Sequence, residues 1–277
     1  MAQVTRIDWG IARQRLSEFT DDTRESLLWV LRILMGWALA VAAAKMYQPV
    51  NEFMRSQANG VQVGYVLLCW SSFLLAFFRF YFGDIRYFDR RTRRLKRLLV
   101  PELSPSYVIP RVQRVLSARR QIVDITHAMV IGSLFVCLAE GVGDPRTFVV
   151  LYYILILVNA LWLAVSIALN RVTMHEVSRT PDQVVKRTES PREDRVPQYW
   201  LWNNSAYCLV ALVFMYAYRI DNAATMSGLH MLTLIGLGIV NSLCDIGLTF
   251  RHYFPQTRRL VVDDEEELAM AGSMGRS

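Results

Sequence analysis

The apolar residues of this 277-residue chain gather into six stretches: Leu27 to Tyr47, Val61 to Gly83, Ile122 to Glu140, Phe148 to Asn170, Trp200 to Tyr218 and Gly228 to Phe250. Each approaches the ~20 residues that carry an α-helix across a ~30 Å hydrocarbon core. A helix on the surface of a soluble domain needs only one apolar stripe, so runs that are apolar all round point to lipid. The pattern predicts an all-α, polytopic membrane protein with six transmembrane helices.

Charge orients them. Twenty-five of the 31 Lys and Arg residues fall in four segments, 1–26, 84–121, 171–198 and 251–277, which alternate with pairs of spans. The opposite loops hold Lys45, Arg55, Arg146 and Arg219, while Arg32 and Arg79 lie inside spans. Cations concentrate on the cytoplasmic side of membrane helices, so both termini are expected in the cytoplasm. The net charge of +7 follows from the same loops and does not in itself require nucleic acid. Arginine outnumbers lysine 28 to 3, a usage we associate with a GC-rich bacterial genome, and a bacterial inner membrane is the expected location.

The polar segments suggest how the chain is organised. In residues 1–26, Ile7, Ile11, Leu16 and Phe19 make a weak apolar face, as for a short helix lying on the inner leaflet. Asp22, with Glu25 three residues on, then reads as a fresh helix start for the first span of a 27–250 membrane domain. These first residues lack the apolar core and cleavage site of a signal peptide, leaving the first span as the expected insertion signal.

From Asp89 the basic run meets no helix breaker until Pro101, and Pro110 suits the first turn of another helix. A basic cytoplasmic hairpin over 84–121 should therefore extend spans two and three, turning near Pro101 to Pro105. Its Arg90, Arg91, Arg93, Arg94, Lys96 and Arg97 suit an anionic ligand: a lipid, a nucleotide or an oligonucleotide. Gly83 followed by Asp84 is placed to hinge that hairpin. Segment 171–198, with Pro181, Pro191 and Pro197, reads as a linker or gate, and the 251–277 tail, with its Asp263 to Glu267 acidic block, as largely disordered.

Ionisable groups inside hydrocarbon cost ~3 kcal/mol or more at mid-bilayer on insertion scales, so they mark either partnered packing or a charge pathway. Arg32, Arg79, Asp124, His127 and Asp245 are expected in one slab, about 6–10 Å inside the same boundary at ~1.5 Å per residue. With Asn241 they form the candidate pathway cluster. Asp124 and His127 stand one helical turn apart, and histidine is the side chain that changes charge near cellular pH. The alternative is that the arginines snorkel to the headgroups while the aspartates pair locally.

Three spans also carry polar or small stripes at helical spacing: Cys69, Ser72, Ala76, Arg79 and Gly83; Asn159, Trp162, Ser166 and Asn170; and Asn241, Asp245, Thr249 and His252. Ser72, Asn159, Ser166, Asn170 and Thr249 are the candidate pore-lining positions. The stripes either pack helix on helix or line water. Gly238 and Ser242 fit a small-residue helix contact, while Asn203 and Asn204, between tryptophans, read as an interfacial cap.

Catalytic motifs are missing: there is no His-Glu-x-x-His, no Gly-x-Ser-x-Gly and no phosphate-cradling glycine loop. The four cysteines sit singly in spans, a spacing that fits neither a disulfide frame nor a zinc site. No enzyme activity, cofactor or metal is expected. Polar-faced helices and a basic regulatory element fit a homo-oligomeric ion channel gated from the cytoplasm, such as a bacterial defence or toxin-type effector. A scaffold subunit recruiting a cytoplasmic protein, and a small secondary transporter, are the alternatives. The expected partners are the lipid bilayer, further copies of the chain, and a cytoplasmic protein or anionic ligand at the hairpin.

Overall fold

The structure, a computed structural model, describes residues 4–55, 60–98, 118–177, 196–220 and 226–253. These form six α-helices: α1 Val4–Met54, α2 Gly60–Leu98, α3 Ala118–Glu140, α4 Pro145–Val177, α5 Val196–Ala217 and α6 Gly228–Tyr253, with a 3₁₀ turn at Gly141–Gly143 before α4. Five are long and apolar enough to cross a membrane: α1, α2, α3, α4 and α6. The remaining helix, α5, has 22 residues, and its apolar content is lowered by Asn203, Asn204 and the tryptophan- and tyrosine-rich first half.

Each apolar stretch became a single helix because nothing inside it breaks the ladder, and the joints carry specific stops. Asp144 starts α4. Its carboxylate accepts from the Arg146 N–H at 3.2 Å and the Thr147 hydroxyl at 2.5 Å, and Pro145 fills the first helical position, where its missing N–H costs nothing. At the end of α5 the Ile220 N–H reaches back to the Met215 carbonyl at 2.8 Å and the Arg219 N–H to Tyr216 at 3.1 Å. That closure puts Arg219 at φ 51°, the left-handed position glycine usually takes. Ser227 caps α6, its hydroxyl accepting from the His230 N–H at 3.4 Å.

One expected boundary is absent. α1 passes through Asp22 without a break, giving a helix ~77 Å long at ~1.5 Å per residue, where a separate surface helix was expected. Thr20 and Thr23 donate their hydroxyls to the carbonyls of Leu16 (2.6 Å) and Phe19 (2.8 Å), the back-bonding of a helix interior. α2 likewise continues past Gly83 to Leu98, as expected for the first arm of the hairpin, and Gly83–Asp84 forms no hinge in it. α4 runs to Val177, into the segment read as linker. The hairpin turn, most of that linker and the tail lie outside the described residues.

Neighbours follow the cyclic order α1–α2–α6–α5–α4–α3 and back to α1, and α4 also touches α2 and α6. The core draws on every helix, with Leu31, Phe73, Phe135, Tyr152, Tyr207 and Leu234 among its buried side chains. Close approaches set the spacing. A side chain at Gly132 would clash with Leu34 of α1, and one at Gly238 would press on the Tyr152 ring at 3.0 Å, so both glycines allow close neighbours.

Large apolar side chains also cover the outside of the bundle: Trp29, Ile33 and Trp37 on α1, Leu161 on α4, Leu209 and Val213 on α5, Leu243 and Leu248 on α6. Soluble monomers rarely expose apolar surface on this scale, so the bundle is membrane-embedded. Two ion pairs bracket α1: Arg24 with Asp89 of α2, and Lys45 with Glu140 of α3 at 2.7 Å. They are separated by about 31 Å of helix, the depth of a hydrocarbon core.

Candidate functional site

Among the described residues fourteen polar or charged side chains are buried, and half of them belong to the stripes on α2, α4 and α6. Cys69, Ser72, Ala76, Arg79 and Gly83 all turn inward on α2. Asn159, Trp162 and Ser166 do so on α4, as do Asn241, Asp245 and Thr249 on α6. The side chains of Asn170 and His252 lie outside the description. So do those of Arg90, Arg91, Arg93, Arg94, Lys96 and Arg97, whose backbone belongs to α2.

Two acid–base pairs organise this interior. In the first, Arg79 Nε lies 2.5 Å from Asp245 Oδ2, with side-chain exposures of only 3% and 1%. Arg79 Nη2 donates to Asn204 Oδ1 on α5. With the Asn241 amide oriented to satisfy its surroundings, its oxygen accepts from Arg79 Nη1 at 2.6 Å. Every guanidinium nitrogen therefore has an oxygen, as a buried cation that cannot shed its proton requires. Asn203 Nδ2 braces Asn241 through its backbone carbonyl at 2.9 Å, and Thr249 donates to the Asp245 carbonyl at 2.6 Å. Further along α6, the Tyr152 hydroxyl donates to the Gly238 carbonyl at 2.9 Å and lies 3.0 Å from Ser242 Oγ, so the small-residue contact expected there is made with α4.

The second pair joins His127 of α3 to Asp84 of α2, Nε2 to Oδ1 at 3.4 Å. Asp84 lies one and a half turns, ~7.5 Å, beyond Arg79 along α2. The Trp162 indole of α4 covers the imidazole, with ring centroids 3.7 Å apart and planes 14° from parallel. Tyr87 meets Trp162 edge-on at 5.0 Å. Asp124, one turn from His127 on α3, is 1% exposed. Among the described residues, Asp84 Oδ2, His127 Nδ1 and Trp162 Nε1 have no hydrogen-bond partner.

Of the expected cluster, Arg79, Asn241 and Asp245 meet, Asp124 and His127 are buried on α3, and Arg32 stands apart. Arg32 is exposed on the outer strip of α1 with Trp29, Ile33 and Trp37, because the face α1 turns to α2 and α3 runs through Leu28, Leu31, Met35 and Ala38. The expected common slab instead contains two pairs at different depths. Three partners were not anticipated. Asp84 was read as part of an interfacial hinge and Asn204 as an interfacial cap, yet Asn204 is fully buried against Arg79. Tyr152 carried no charge to draw notice. A polar residue about half a turn round the helix from the exposed Trp202 was the available signal for Asn204.

No group of three His, Cys, Asp or Glu side chains that could hold a metal ion occurs among the described residues. Comparison with protein families, with curated proteins and with solved structures finds no match for this chain.

Proposed function

We propose that this chain is an ion-conducting protein of a bacterial inner membrane, with six spans and both termini in the cytoplasm. Its domains are then the N-terminal segment 1–26, the membrane unit 27–250 with the basic hairpin 84–121 and linker 171–198, and the tail 251–277. α5 is the sixth span on the strength of its length, its place between α4 and α6, and its exposed Leu209, Leu212 and Val213.

One observation carries the conducting role: two acid–base pairs are buried in the apolar bundle, where charge is expensive and helix packing alone would need only small residues. The polar stripes of α2, α4 and α6 turn inward within one chain, which favours a route inside each protomer. Further copies would then assemble around the outer faces without forming the pore wall. The basic hairpin continues α2, so an anionic ligand or lipid bound to it acts on the helix that carries Arg79 and Asp84.

The scaffold reading rests on a different observation, the saturation of Arg79 by Asp245, Asn204 and Asn241, which suits a structural pair. Flux assays decide between them. Purified protein in proteoliposomes should pass protons, K⁺ or Cl⁻ at rates at least tenfold above protein-free vesicles, and anionic lipid should change the rate. No flux of any of these ions, with or without anionic lipid, would sink the conducting role and leave the scaffold.

A further inference from the structure

His127, Asp84 and Trp162 come from three different helices, α3, α2 and α4, and converge on one buried spot. Each brings a polar atom without a partner among the described residues: an imidazole nitrogen, a carboxylate oxygen and an indole N–H. All three residues are more than nine-tenths buried. Buried polar atoms are nearly always satisfied, by protein or by ordered water, so three orphans on side chains joined through His127 point to hydration. The set is mixed in character. The indole can only donate and the carboxylate can only accept, the combination a water molecule joins through its lone pairs and its hydrogens.

Two neighbours of the imidazole could hold an imidazolium. Asp84 lies at Nε2, and the Trp162 face lies against the ring at 3.7 Å, near enough for a cation–π contact once the ring is protonated. The other charged groups nearby balance one another or add to this. On α2, Arg79 is neutralised by Asp245 of α6, and Asp89 by Arg24 of α1. α3 itself contributes Asp124, and α4 has no charged residue between Thr147 and Asn170.

We propose that this spot is a hydrated proton site with His127 as the group that takes up and releases the proton. The inference rests on the conducting role and names its substrate as H⁺. In the neutral ring Nε2 carries its hydrogen toward Asp84 and Nδ1 presents a lone pair. Hydronium in the site gives a proton to Nδ1 and becomes water, leaving an imidazolium held by Asp84 and Trp162. Release runs from Nε2 to Asp84 or from Nδ1 back to water, with charge conserved in either direction.

Two measurements on the full-length protein separate this inference from the reading beneath it. Stacked imidazolium quenches indole fluorescence, so acidification should quench the wild-type emission by a component that is lost in both His127→Gln and Trp162→Phe. Trp162→Phe keeps an aromatic face and guards against a His127 variant that fails to fold. Absence of any acid-induced component in the wild type would overturn the site, whatever the flux results. In proteoliposomes His127→Gln should lower proton flux at least tenfold. Unchanged proton flux in that variant would overturn the carrier role of His127, whereas a wild type that passes no ion would overturn the conducting role itself.

Discussion

At Arg79 every nitrogen of the guanidinium meets an oxygen, whereas at His127, whose partner Asp84 lies about one and a half turns from Arg79 along α2, one ring nitrogen meets a carboxylate and the other has no hydrogen-bond partner among the described residues. Both are bases buried against acids in the same bundle. Their different surroundings follow from what each can do with its proton. Arginine stays charged at any accessible pH, so it is tolerable in an apolar interior only with a full set of acceptors. Histidine can become neutral at small cost and tolerates an incomplete shell. A saturated pair holds helices in register, and an unsaturated one has polar atoms left over for a further partner.

The sharpest way to break this comparison is to remove the acid from each pair. Asp245→Ala strands a buried guanidinium and should cost ~3–5 kcal/mol of stability, the usual penalty for breaking a buried ion pair from one side. Replacing both partners, Asp245→Leu with Arg79→Met, should recover most of that loss, because apolar residues of similar size replace a buried pair at little cost. Unfolding of the detergent-solubilised protein reads both. An Asp245→Ala protein as stable as the wild type would show that Arg79 reaches solvent, and the saturated description would fail.

Asp84→Ala should cost less, ~1–3 kcal/mol, because His127 can stay neutral and only one hydrogen bond is lost. The same unfolding measurement applies. A loss equal to that of Asp245→Ala would mean that His127 is permanently charged and that the two pairs do the same structural work.

Much of this was legible beforehand, and the failures have a common physical origin. The six stretches each fell within a helix, apart from Tyr218, which lies just past the end of α5, because apolar length is a direct signal of a membrane helix. Arg79, Asp124, His127, Asn241 and Asp245 stood out because polar groups are rare in such runs, and the structure buries all of them. Arg32 stood out for the same reason and was misplaced. In lipid both faces of a helix are apolar, so the residues around Arg32 do not reveal which way it points. Asp84 and Asn204 were missed because aromatic and basic neighbours resemble an interfacial belt, and the burial of each is set by a helix distant in sequence. The unbroken α1 shows the reverse error, a plausible cap at Asp22 outweighed by continuous helical packing on either side.

The smallest effect calibrates the other two. Lys45 and Glu140 form a third acid–base pair at 2.7 Å, but their side chains are 46% and 56% exposed. If that end of α1 meets water, solvent screens the pair and Lys45→Met should change stability by ~0–1 kcal/mol, with the difference shrinking as salt is raised. The same protein and detergent serve for these three pairs, so the three losses can be ranked directly. A cost for Lys45→Met approaching that of Asp84→Ala, and insensitive to salt, would place Lys45 inside the hydrocarbon. The 31 Å interval between the two pairs bracketing α1 would then no longer mark the membrane, and its bounds would have to be drawn from the exposed apolar belt.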